Sequence, residues 1–193
     1  MQGGHITVSS QLTPTAIGQG DGVNLSLTMQ SGTATVNLPQ GSSSIAMAPG
    51  STLFASHGTY QVTVNGNSSA ATTTINTLDT HTTVNVQQGS ETVVMKVQND
   101  QSTGPDNVTI DWKGQVSDSN VILSQHGNDL WIGLATAQDP QAQSPTDVVI
   151  IKNEFNTAGS GATYLTLDVD PGHQINLAGI NASNPVSVHT LLW

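Results

Sequence analysis

Asp168 and Asp170 are the two carboxylates in this chain whose spacing could do chemistry. On a β-strand alternate side chains share a face, so the pair would stand about 7 Å apart by strand rise. Clustered hard oxygens suit Ca²⁺, with Asp106, Asp111 or loop carbonyls completing the shell. The competing structural reading makes Asp170-Pro-Gly a strand exit with an acidic turn residue. Six histidines (5, 57, 81, 126, 173 and 189) are scattered, and none has metal-ligand spacing. A glycosidase needs two facing carboxylates, and Glu91 and Glu154 are the only glutamates. No Gly-x-Ser-x-Gly elbow is present; Gly159-Ser-Gly161 reads as a loop. Trp131 alternates with Leu130, Ile132 and Leu134, so it should face away from their core. An outward tryptophan can stack a sugar ring, or cover a second sheet or a subunit interface.

Composition narrows the partners. Arginine is absent, lysine occurs only at 96, 113 and 152, and net charge is −10 with His neutral. Phosphate and carboxylate ligands are gripped by Arg and Lys, so nucleic acid is excluded, and anionic membranes are disfavoured. Ser, Thr, Asn and Gln fill 76 of 193 positions, and hydrophobic residues make up 35%. With no cysteine, disulfides and thiolate metal sites are ruled out; a cysteine-free secreted chain leans bacterial. No apolar run approaches a membrane span. Met1-Gln-Gly-Gly-His5 has neither a basic n-region nor an apolar h-region, so the expectation is a removed leader or another export route.

The elements that must position these residues are strands. Val23, Leu25, Leu27 and Met29 alternate with Asn24, Ser26 and Thr28, which is the period of a half-buried strand. The same pattern recurs at 34–38, 60–64, 84–86, 93–97, 108–112, 130–134, 165–169, 175–177 and 186–188, with turn signals such as Pro49-Gly50 and Gln88-Gly89 between. Roughly 10–12 residues per strand predicts an all-β fold, either a β-sandwich of jelly-roll type or a short β-solenoid. No strict repeat is visible. Residues 1–98 form a low-charge, Ser/Thr-rich β region and residues 105–193 an acidic, Trp-containing one. The polar, breaker-rich stretch between them is the candidate boundary, unless the two make one continuous domain.

One stretch carries a family resemblance. Asn120-Val-Ile-Leu-Ser-Gln-His-Gly-Asn-Asp-Leu-Trp-Ile-Gly-Leu134, followed by Asp147-Val-Val-Ile-Ile-Lys-Asn-Glu-Phe155, resembles a strand element of large secreted bacterial adhesins and haemolysin-type (RTX) proteins. It implies a turn at Gly127-Asn-Asp129 and a pairing of Leu130 and Ile132 with Val149 and Ile151, in an extracellular setting. A single Gly-x-Asp unit, His126 and the insert 136–146 depart from the calcium-binding repeats of that family, so no metal site is carried over. The N-terminal strand His5–Ser10 is the expected assembly strand, the alternative being that it pairs within its own subunit. Ile6 and Val8 would set its register in a neighbouring subunit, and residues 11–22 would act as tether.

Together these features predict a non-enzymatic, secreted bacterial surface or biofilm-matrix protein, structural or adhesive, that self-associates into filaments by strand addition. Its partners would be copies of itself or other matrix and surface components, polysaccharide included, with no cofactor other than Ca²⁺ at Asp168 and Asp170. The alternative from a different class is a carbohydrate-binding module centred on Trp131. A polysaccharide-active solenoid enzyme is a third reading, weakened by the missing arginine.

Overall fold

The computed structural model describes residues 5–9, 24–37, 41–66, 71–78, 80–87, 91–98, 107–112, 120–135, 148–155, 164–170, 173–177, 180 and 190–191. Its strands alternate between two sheets. One holds β1 (His5–Ser9), β3 (Thr33–Asn37), β5 (Thr52–Ser56), β7 (Ala71–Leu78) and β9 (Glu91–Gln98), all parallel. The other holds β2 (Asn24–Met29), β4 (Ser42–Met47), β6 (Thr59–Val64), β8 (His81–Val86) and β10 (Asn107–Asp111), again parallel. Each strand therefore stacks on the strand two earlier. That is a short β-solenoid, and of the two architectures expected it replaces the sandwich.

Corners between strands need backbone that ordinary residues avoid. Between β5 and β6 only His57 and Gly58 intervene, at φ 52° and 87°. Two left-handed residues in succession turn the chain from one sheet into the other, and glycine makes the second step without steric cost. The rungs are unequal in length. Register partners lie 19 residues apart from Thr33 to Thr52, 22 from Thr52 to Thr74 and 20 from Ala71 to Glu91. Sequence periodicity is thus smeared by loop length while the sheet spacing stays regular, which is why no strict repeat is visible.

Inward positions stack into ladders. Leu27, Ile45, Val62, Val84 and Ile110 are consecutive register partners in one sheet. Ala34, Leu53, Ile75 and Met95 run parallel to them in the other. Both belong to one continuous hydrophobic cluster. Tyr60 ties the sheets across that core: its hydroxyl donates to the Ser56 carbonyl at 2.8 Å, with the Val36 carbonyl at 3.2 Å. Many outward positions are hydroxyls and amides, such as the row Ser26, Ser44, Gln61, Thr83, Thr109.

The sheets run through the change in composition near residue 98. β13 (Val148–Ile151) continues the first sheet in parallel beside β9, and β14 (Tyr164–Asp170) continues the second beside β10. The core cluster includes residues from both regions; residues 99–106 lie outside the described residues. Antiparallel strands then follow: β12 (Asp129–Leu134) pairs with β13, β11 (Val121–His126) with β12, and β16 (Thr190–Leu191) with β11. In the second sheet β15 (His173–Asn176) pairs antiparallel with β14. The strand expected at 186–188 lies outside the described residues.

Candidate functional site

Ionisable and aromatic side chains converge at the β11–β12 hairpin and the turn that follows β13. His126 pairs with Asp129 across a two-residue loop, with Gly127 at φ 65°. Glycine at the first central position with positive φ is the requirement of a tight hairpin turn matched to strand twist. Leu130 pairs with Ile151 and Ile132 with Val149, the pairing expected from sequence, and all four are fully buried.

Asp129 clamps the turn after β13. Its Oδ1 accepts the Asn153 backbone N–H at 3.0 Å, and Lys152 Nζ donates to Oδ2. Asn153 itself has φ 59°, so the carboxylate secures a residue held in the left-handed region. The Phe155 N–H donates to the Asn128 carbonyl at 3.0 Å, closing the junction from the hairpin side. The Asp and Lys of this element thus cross-link two loops and leave a short-range neutral pair.

Trp131 points away from the core, as alternation predicted, and is half-buried. The imidazole of His126 stacks on it with centroids 4.3 Å apart and an interplanar angle of 25°. His126 Nε2 is 3.1 Å from Ser124 Oγ, which fixes the ring over the indole. One face of the tryptophan is therefore already occupied by a side chain of its own sheet. Neither the stack nor the Asp129 clamp follows from composition; the hairpin pairing, which sets His126 two residues from the partner of Trp131, is the signal for the stack.

Asp168 stands on the outer face of the second sheet. Its register partner on the neighbouring parallel strand is Asp111, and Gln174 Nε2 donates to Asp168 Oδ2 at 3.3 Å. Asp170 pairs with His173 after a register shift, and its side chain lies outside the described residues. Among the described residues no three His, Asp or Glu side chains converge as a metal site would require. Ile6 and Val8 pair with Ala34 and Val36 of their own chain.

A further feature was missed in the sequence. Phe54, 45% exposed, is the one large apolar side chain exposed among the described residues. It borders a hollow of about 170 Å³ on the outer face of the first sheet, with Thr35, Ser56, Asn76, Leu78 and Gln98 around it. The flanking Leu53 and Ala55 are buried, so period-two reading would have placed Phe54 outward. No family model, curated protein or solved structure matches this chain.

Proposed function

We propose that this chain is a secreted bacterial surface or matrix protein, structural and adhesive rather than enzymatic, that assembles by exchanging its first strand between copies. The observation that carries this reading is the attachment of β1. His5 pairs with Thr33, 28 residues on, whereas the next three steps in the same sheet are 19, 22 and 20. With this much chain between its partners in sequence, β1 can dock on β3 of a neighbouring copy and make the same main-chain contacts there. Its sequence, His-Ile-Thr-Val-Ser, carries no Lys or Pro, the residues by which edge strands discourage foreign pairing.

Ile6 and Val8 set the register in either arrangement, beside Ala34 and Val36. Successive exchange is head-to-tail and does not close on itself, so it yields filaments. The non-enzymatic part rests on how the charged groups are used: Asp129 and Lys152 hold a turn, and His126 packs on Trp131. Outer faces built of hydroxyls and amides suit contact with hydrated matrix polymers.

Electron microscopy of the purified protein tests the reading. Filaments that vanish on deletion of residues 1–20, with the remaining fold intact by circular dichroism, support it. Isolated particles at high protein concentration overturn it.

A further inference from the structure

We infer that the hollow beside Phe54 is a binding site for a neutral oligosaccharide, distinct from the strand edge used in assembly. Its floor crosses consecutive parallel strands. Thr35, Phe54 and Asn76 are register partners in one row, and Ser56, Leu78 and Gln98 in the next. The lining therefore extends over four strands, or three strand spacings of roughly 4.8 Å. That length suits a short run of sugar units rather than a single ring.

Each lining group matches part of a pyranose. The C–H face of a sugar is apolar and packs on an aromatic ring, and Phe54 offers its ring on an otherwise hydroxylated surface. Leu78 extends the apolar floor. Asn76 Nδ2 donates to the Leu53 carbonyl at 3.0 Å, which locks the amide across the strands and holds Oδ1 as a fixed acceptor. Gln98 is exposed and has both a donor and an acceptor for vicinal hydroxyls. A few polar groups placed around an apolar floor is the usual make-up of a small-molecule site.

Charge selects the class of sugar. None of the residues lining the hollow is ionisable; Lys96, the register partner of Asn76, stands exposed beside it, and the chain's net charge of −10 opposes acidic polymers. Trp131, the other outward aromatic of the first sheet, already carries His126 on its face. Among the described residues, Phe54 is thus the aromatic with an open face, and a neutral glycan matches the uncharged lining around it.

The test is a titration of the full chain with neutral hexasaccharides of β-1,4-linked glucose, β-1,3-linked glucose and β-1,4-linked mannose, followed by amide chemical shifts and calorimetry. Binding of at least one is expected, with shifts centred on Thr35, Phe54, Asn76 and Gln98. Phe54→Ala should weaken it roughly tenfold, the loss expected when an aromatic contact is removed. Gln98→Ala should weaken it less, and both variants should melt like the parent. Three outcomes overturn the inference: no binding of any of the three, binding that Phe54→Ala leaves unchanged, or a Phe54→Ala effect confined to self-association by sedimentation. Because the site is on a sheet face, filaments persisting in Phe54→Ala separate its failure from that of the assembly reading.

Discussion

The parallel rungs and the antiparallel block at β11–β13 are parts of one sheet, yet they bury their strands differently. One row of outward positions crosses both: Thr33, Thr52, Thr74, Val94, Ile150, Trp131 and Ser124 are successive register partners. At the rung end its threonines are half-exposed; at the block end Ile150 and Ser124 are buried. The adjacent row makes the same change, from exposed Thr72 to buried Val148, Gly133 and Ile122. Rungs thus bury one face and wet the other, whereas the block buries both. A strand covered on both faces reads as an unbroken apolar run, as in Val148-Val-Ile-Ile151, instead of an alternation.

Outward positions should therefore cost more to truncate in the block than among the rungs. Ile132→Ala, deep in the block, should lose about 2–4 kcal/mol in urea unfolding. Ile150→Ala, outward but 8% exposed, should lose about 2 kcal/mol or more. Thr74→Ala, on the same row among the rungs, should stay within about 0.5 kcal/mol of the parent. Equal losses at Ile150 and Thr74 would show that the block is no better covered than the rungs.

The clamp at the block's turn comes next. Asp129→Ala should cost about 1–2 kcal/mol, because the Asn153 N–H loses its acceptor as well as Lys152 its partner. Lys152→Met should cost under about 1 kcal/mol, since that side chain is 38% exposed and its ion pair is solvent-screened. A lysine variant more damaging than the aspartate variant would contradict the view that the backbone acceptor matters most.

Inner faces of the rungs are less well matched than those of the block. Thr77 is buried between Ala55 and Val97 in register, and its hydroxyl has no hydrogen-bond partner among the described residues. Thr77→Val keeps the shape and removes the stranded hydroxyl, so it should stabilise the protein by about 1 kcal/mol in the same assay. A loss of stability would mean that the hydroxyl is satisfied in solution.

The smallest effect is expected on the acidic outer face. Asp168 and Asp111 are register partners on neighbouring strands, and like charges so placed repel. Asp168→Asn should stabilise the protein by roughly 0.2–0.5 kcal/mol at low ionic strength, seen as a slightly raised melting temperature, and the gain should fade as salt screens the pair. A lowered melting temperature at low salt would give Asp168 a binding or bonding role that outweighs the repulsion.

What could be read from the sequence follows the same divide. Strands with apolar inward residues, such as β6 with Tyr60, Val62 and Val64, declared themselves by alternation. β4, β5 and β7 did not, because some inward positions are Ser43, Ala55, Thr73 and Thr77, small or hydroxylated side chains that blur the period. Thr73 is accommodated because its Oγ1 accepts the Gly50 N–H at 3.1 Å, a partner 23 residues away that sequence spacing cannot supply. The hairpin site was half legible. Gly127 and the pairing of Ile132 with Val149 follow from local pattern, while the Asp129 clamp depends on where β13 ends relative to the hairpin. Solenoid and sandwich share the same alternation, so only the pairing of each strand with the one two earlier distinguishes them.

The proposed exchange of β1 between copies can be tested by trapping it, because the chain has no cysteine of its own. Thr7 and Thr35 are register partners on parallel neighbours, where Cα atoms lie about 4.8 Å apart, within the range of about 4.4–6.8 Å that a disulfide bridges. The double variant Thr7→Cys, Thr35→Cys, oxidised after assembly and run on a non-reducing gel, reports which chain supplies the strand. Exchange should give a ladder of covalent multimers that lengthens with protein concentration. Intrachain cross-links alone at every concentration would contradict it.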